Sequence, residues 1–401
     1  MRCRGAILAR VAVIVLGSPA LAGCWGVPPI EQMGIVTLMA IDQAPKGGFQ
    51  ITVSIDMPTS ASASPGLGQI SHALVRQATG RTPLEAIDHL RTESYLTPSF
   101  DHLEVLFVSQ AVASAGLAMA LSDMTTSPKF MSTPYLLVVP RGTAGAVIDQ
   151  IQSAKPRPEV VVSNTIAHVS SQTPYRPKRL YDFLKRVQIP GDAYATSGVR
   201  VNPDQPGKGT TTALQVQGEA IFDRDRLVGW LDAGQTLGWD LATGQPGHPV
   251  VELNTARGGY GLEVLSARRS VRILPSTSPP GVSVDLDISA RTRLAAAQAV
   301  PVSWWSNPHA VTQLAAATAT RITQDVMASL RSAQADKADV FSLGEYVRVQ
   351  NGAAWSRLGP RWDTDTFPRL RVRVYTRVTI TNLGTLVCPP FQRCGVPPNP
   401  V

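Results

Sequence analysis

Between residues 370 and 380 apolar and polar side chains trade places along the chain, and this pattern restricts the conformation more than any other stretch. Leu370, Val372, Val374, Val378 and Ile380 alternate with Arg371, Arg373, Tyr375, Arg377 and Thr379. Successive side chains of a strand point to opposite faces, so the pattern is a β-strand with one face to bury and one basic face. The chain must therefore build a sheet, and something must cover that sheet's apolar side. Residues 308–335 supply the cover. They read as one long helix, with Val311, Leu314, Ala315, Ile322, Val326 and Leu330 on one stripe and Thr318 as its only polar member. A sheet crossed by one long helix is the simplest architecture for residues 211–387.

The rest of the body alternates strands and helices. Residues 35–42 and 49–55 flank the turn Pro45-Lys46-Gly47-Gly48 as a hairpin. Thr82-Pro83-Leu84-Glu85 starts a helix, with Thr as N-cap, Pro at the first helical position and Glu three residues after the cap. Strands are expected at 103–108 and 135–139, and helices at 110–124 and 144–151. A second hairpin, 214–222 with 227–231, turns at Asp223-Arg224-Asp225, and strands follow at 261–274 and 282–291. Residues 153–210 are rich in Pro, Ser and Gly, with a short helix near 180–184. The expected fold class is α+β, with two to three domains of mixed or antiparallel sheets. The expected divisions are a leader at 1–23, an N-terminal α+β domain at 24–155, a linker or small subdomain at 156–210, a C-terminal α+β domain at 211–387 and a tail at 388–401.

The leader accounts for part of the charge. The chain has 401 residues and a formal net charge of +8. Arg2, Arg4 and Arg10 precede or border the apolar run 11–16, no acid occurs before Glu31, and Leu21-Ala22-Gly23-Cys24 follows. A basic region, a short apolar region and a small-residue cleavage site make an export signal. The ending resembles the bacterial lipobox, whose Cys is diacylglycerylated and becomes residue one; two acyl chains suffice for stable membrane attachment. Loss of three arginines leaves 34 basic against 29 acidic residues, a charge of +5. That surplus gathers late, with 15 Lys and Arg against 8 Asp and Glu from Arg268 to Arg377. No apolar run of 18 or more follows the leader, so the body is not polytopic. Cys388 and Cys394 form either a short disulfide loop or two free thiols in the tail.

Catalytic motifs are missing. The histidines at 72, 89, 102, 168, 248 and 309 are scattered without metal-ligand spacing, and no Cys lies near one. Gly207-Lys208-Gly209-Thr210 lacks the upstream glycine of a phosphate loop, and no Gly-x-Ser-x-Gly elbow occurs. Asp285 and Asp287 share one strand face without a base or nucleophile between them. No catalytic, metal or cofactor residue is assigned, and no nucleic-acid module accompanies the basic surplus.

Four stretches, in order, resemble the Ger(x)C family, the lipoprotein C subunits of spore germinant receptors. They are Gly23-Cys24-Trp25 with Gly34-Ile35-Val36 and Ala40-Ile41-Asp42; Leu84-Glu85-Ala86-Ile87 with His102-Leu103-Glu104-Val105; Gly218-Glu219-Ala220-Ile221-Phe222 with Gly229-Trp230-Leu231; and the run 338–345 with Trp355, Trp362 and the last strand. The chain departs from the family pattern at Gly26-Val27-Pro28-Pro29 and at Thr126-Ser127-Pro128-Lys129, where charged residues are usual. The resemblance implies a non-enzymatic subunit of three α+β domains, held to the outer side of the spore inner membrane by lipid on Cys24. It would assemble with membrane-embedded A and B subunits in nutrient-triggered germination, without cofactor or nucleic acid. The alternative reading is an extracytoplasmic solute-binding lipoprotein of a transport system.

Overall fold

The alternating residues 370–380 lie on an edge strand. The computed structural model describes residues 32–56, 73–126, 130–154, 158–201, 214–244, 246–255, 258–298 and 307–382. Cys24, Cys388, Cys394, the Ser/Ala/Gly segment 59–70 and Trp304-Trp305 lie outside them.

The first sheet has ten strands. In chain order they are β1 (Met33–Gln43), β2 (Phe49–Asp56), β3 (Leu74–Gly80), β4 (Thr97–Ser99), β5 (Val105–Ser109), β6 (Tyr135–Val139), β7 (Lys178–Arg179), β8 (Tyr194–Val201), β9 (Leu214–Asp223) and β10 (Arg226–Leu231). The spatial order is β10-β9-β8-β6-β5-β1-β2-β3, with β4 beside β1 and β7 beside β6. The central pairs β1–β5, β5–β6 and β6–β8 are parallel, and the flanking pairs are antiparallel. Helices cover both faces. On one side lie α1 (Pro83–Thr92), α2 (Gln110–Ala115), α3 (Leu117–Thr126) and α6 (Leu180–Arg186), through Ile87, Leu90, Val112, Leu121 and Phe183. On the other lie α4 (Ala144–Ala154) and α5 (Pro158–Gln172), through Val147, Ile148, Val162 and Ile166. Double coverage explains why β5 and β6 read as unbroken apolar runs, Val-Leu-Phe-Val and Tyr-Leu-Leu-Val-Val.

The second sheet runs β11 (Val250–Thr255), β12 (Gly258–Pro275), β13 (Val282–Gln298) and β14 (Arg371–Asn382), in that spatial order. β14 pairs parallel to β13, so the chain must cross over between them, and the long helix α8 (Pro308–Ala335) makes that crossing. Ile322, Val326 and Leu330 of α8 pack with Leu237 and Leu241 of α7 (Ala233–Thr243) against Val264, Val284, Leu286, Ile288 and Val372. The class is α+β with mixed sheets, and the C-terminal sheet carries the long helix on its apolar face.

Three expectations change in detail. The helix expected over 110–124 is two helices, because Gly116 takes φ +117 and the turn between β9 and β10 caps the second: the Leu117 and Ala118 N–H groups donate to the Asp225 carbonyl and carboxylate. The Pro-, Ser- and Gly-rich stretch 153–210 holds α5 and β8, and both belong to the first sheet's layers. The hairpin β9–β10, grouped with the C-terminal domain at 211–387, hydrogen-bonds to β8 and extends the first sheet instead. Its inner residues Ile221 and Leu231 share a core with the second sheet, so the two sheets meet across continuous apolar packing.

Candidate functional site

Where the sheets meet, apolar packing gives way to a buried polar seam. Arg176, in the loop after α5, places Nε 2.8 Å from Oδ1 of Asp240 and donates through Nη2 to Oδ2 at 3.0 Å. Its Nη1 donates to the carbonyls of Ser170, Thr173 and Tyr175. Asp240 sits on α7 between Trp239 and Leu241 and has no exposed surface. Burial raises its pKa, and the two-point contact with the Arg176 guanidinium opposes the rise. A buried pair of this kind is weakly stabilising as a pair and costly to break.

Glu219 stands beside it on β9, also without exposed surface. Its Oε1 accepts from the Arg176 backbone N–H at 2.8 Å and from Ser197 Oγ at 2.7 Å. Burial pushes its pKa up to about 7 against those two donors. Lys178 is half-buried nearby, and desolvation lowers its pKa. A cavity of about 160 Å³ opens here, lined by Arg176, Lys178, Asp182, Arg186, Trp239 and Arg269 among others. Arg269 is held by the carbonyls of Ala242 and Phe341 and lies over the Tyr346 ring. The seam therefore pins β7–β9 of the first sheet to α7 and β12 of the second through directional bonds.

A second knot lies close by. The carboxylate of Asp339, fully buried, accepts from Gly344 N at 2.7 Å and from Trp362 Nε1 at 3.0 Å. It thereby caps α9 (Leu343–Gln350) and fixes Trp362, whose ring lies against Trp355 with centroids 5.4 Å apart. Burial drives the Asp339 pKa up to about 7. Gly191 and Gly344 leave room for this packing: a Cβ on Gly191 would meet both tryptophans, and one on Gly344 would meet the Gly191 carbonyl.

These contacts give physical roles to several residues of the quoted stretches. Asp42, at the end of β1, accepts from Ala144 N at 2.7 Å and Gly145 N at 2.8 Å, capping α4 in the interior. Trp230 lies over Gly198, where a Cβ would strike its ring. Thr82 accepts from Glu85 N at 3.1 Å, as its N-cap position requires. His102 is exposed in the turn before β5. Asp285 and Asp287 do share one face, and there they pair with Arg373 and Arg272. Arg176, Lys178 and Asp240 were not singled out by the sequence reading. The available signal was a single charge within an apolar run, Glu219 before Ala-Ile-Phe and Asp240 between Trp and Leu. Among the described residues no group of three or more His, Cys, Asp and Glu side chains comes together to hold a metal.

Residues 27–197 match the family model described as the spore germination protein N-terminal domain, and residues 217–384 match spore germination B3/GerAC like, C-terminal. The putative spore germination protein YfkR of Bacillus subtilis (strain 168) is 22% identical over 372 residues, 91% of this chain and 94% of that protein. Spore germination protein B3 of the same organism is 22% identical over 382 residues, 92% of this chain and 96% of that protein. Among solved structures, the crystal structure of the GerBC protein aligns with a TM-score of 0.56 at 17% identity, over 86% of this chain and 97% of the other. At that identity the likeness is one of fold.

Proposed function

Because the chain belongs to the Ger(x)C family of spore germination proteins, we propose that it is the lipid-anchored C subunit of a germinant receptor, working as a scaffold for its membrane-embedded A and B subunits. The observation that carries this reading is the ordered match of both family domains, 27–197 and 217–384, over nearly all of the exported chain. Lipid on Cys24 holds the protein to the outer leaflet of the spore inner membrane. Among the described residues no helix is long and apolar enough to cross a membrane, so the anchor reading places attachment at the N-terminus. The interior supports a mechanical role: ion pairs and capped helices lock two sheets into one body, and the one hydroxyl–carboxylate contact of the seam, Ser197 with Glu219, is without exposed surface. From family membership, we infer that the subunit has no catalytic activity of its own. In domain terms, the family models divide the chain near residue 200, and we read the second unit as supplying the second sheet with α7–α9 and lending the hairpin β9–β10 to the first sheet.

The test is recovery of the acylated protein from spore membranes under mild detergent. Co-purification of two polytopic proteins is the expected result, and recovery of the protein alone would overturn the reading. The solute-binding alternative predicts saturable binding by the isolated protein in calorimetry. The seam cavity, at about 160 Å³, is smaller than the roughly 300–1,000 Å³ of small-molecule pockets.

A further inference from the structure

Among the described residues, the second sheet has one face covered and one open. α7 and α8 pack on the side of Val264, Leu286 and Val372. Strand register defines the other side row by row. Arg272, Asp285 and Arg373 stand abreast across β12, β13 and β14, then Ser270, Asp287 and Tyr375, then Arg268, Ser289 and Arg377, then Ser266, Arg291 and Thr379. Arg371 stands opposite Ser283 at one end, and Arg293 stands between Glu263 and Asn382 at the other. The face thus carries seven arginines and no lysine, against Asp285, Asp287, Glu263 and, on β11, Glu252.

Ion pairing divides the seven. Arg272, Arg293 and Arg373 are paired with Asp287, Glu263 and Asp285. Arg268, Arg291, Arg371 and Arg377 are exposed and form no ion pair among the described residues. Three of these four surround one small residue: Arg268 and Arg377 flank Ser289, and Arg291 lies two residues further along the same strand. With strands about 4.8 Å apart and about 6.8 Å between same-face residues, the backbone positions of the three arginines stand about 8–10 Å from one another, within reach of one another's long side chains. Guanidinium binds phosphate bidentately and is weakly hydrated, so arginine suits this task better than lysine.

We propose that this open face is a docking surface for the phosphates of anionic phospholipid headgroups, with Arg268, Arg291 and Arg377 around Ser289 as its centre. The occupant follows from the shape and chemistry of the face. It is a broad sheet surface with Ser and Thr between the arginines, and its exposed large side chains, Tyr375 and, on β11, Val250, stand on separate strands. A protein partner of comparable area needs an apolar centre to anchor it, whereas a plane of phosphates needs spread positive charge. Docking would lay the second sheet against the bilayer and set the orientation of a protein otherwise held by its lipid anchor.

The inference rests on the membrane reading above, and its assay is separable from it. Full-length protein carrying Cys24→Ser, and so not acylated, is mixed with vesicles of phosphatidylglycerol and phosphatidylcholine or of phosphatidylcholine alone, and binding is followed by sedimentation. Binding is expected only with the anionic vesicles, and it should weaken steeply with salt. Each arginine near the surface is worth about a fivefold change in binding. R268S/R291S/R377S should therefore bind about a hundredfold more weakly while keeping the wild-type melting temperature. The charge-matched control K46S/R141S/R331S removes exposed cations elsewhere and should stay within a few-fold of wild type. Equal losses in the two triple variants would overturn the proposal, as would equal binding to both vesicle types. So would a face variant that binds vesicles normally but no longer co-purifies with membrane proteins, which would assign the face to a protein partner. Failure of the vesicle assay leaves the subunit reading intact, and failure of co-purification leaves the vesicle result intact.

Discussion

Asp339 shows how much one buried carboxylate holds in place. Its replacement by Ala leaves the Gly344 N–H and the Trp362 indole N–H without an acceptor, and each such loss costs about 1–3 kcal/mol. Asp339→Ala should lose about 3 kcal/mol in chemical denaturation, and Asp339→Asn, which keeps an oxygen there, less than half of that. Glu219 makes a pH prediction. Its pKa stands at about 7 in the native state against 4.5 in the open chain, so between those values the folded form keeps a proton that the unfolded form has released. Stability should therefore fall as pH rises from about 4.5 to about 7, by up to about 3 kcal/mol from this group, and level off above. Glu219→Gln, which mimics the protonated acid, should melt above wild type at pH 8 and show a shallower slope below. Asp339, Asp363 and Asp240, also raised by burial to about 7, about 6 and about 8, keep part of that slope, and Asp240 carries it past pH 7. Thermal melts of both proteins from pH 4 to 9 check the sign.

At the scale of elements, propensity and period were enough where one face met water and failed where contacts across the fold decided. The 308–335 helix and the 370–380 strand were legible because the stripe and the alternation each survive in one dimension. α5 and β8 were not. Their stretch reads as linker by composition, and only α4 and β6, which they pack beside, give them a reason to be regular. The break at Gly116 belongs to the same class. A helix propensity that favours continuation through Gln110–Thr126 loses to Asp225, which offers acceptors to the second helix from more than a hundred residues away. Asp225→Ala should cost about 1 kcal/mol, as removal of an N-cap does, and should speed hydrogen exchange at Ala118 more than at Leu117, whose backbone carbonyl acceptor the variant keeps. Leu330→Ala, in the core between α8 and the second sheet, should cost about 2–5 kcal/mol by calorimetry.

For the molecule as a whole, the shared core makes a prediction that domain counting would miss. Ile221 and Leu231 of the first sheet pack with Val284 and Val326 of the second half, and the Arg176–Asp240 pair ties the same junction. The two sheets should unfold in one transition, with far-UV and near-UV circular dichroism coinciding. Arg176→Met, which leaves Asp240 buried and unpaired, should cost about 3–5 kcal/mol. At this scale too belongs the anchor: Cys24→Ala should leave the circular dichroism unchanged while releasing the protein from spore membranes and slowing germination. Normal retention in that mutant would end the lipid-anchor reading.

Ger(x)C membership was legible from the sequence, because Asp42, Gly218, Asp339 and the tryptophans recur in order whatever the fold does with them. So was the presence of a half-buried basic strand and its helix, because periodicity is a local property of the chain. What each marked residue is for was decided only in three dimensions. Asp42 and Asp339 cap helices that begin 102 and 4 residues later, and Glu219 and Asp240 became costly charges only when two sheets closed over them. The grouping of the arginines was decided there as well. Arg268, Arg291 and Arg377 are scattered across 110 residues of sequence, and strand register alone brings them around Ser289. Burial and register are relations between distant segments, and one-dimensional patterning does not carry them.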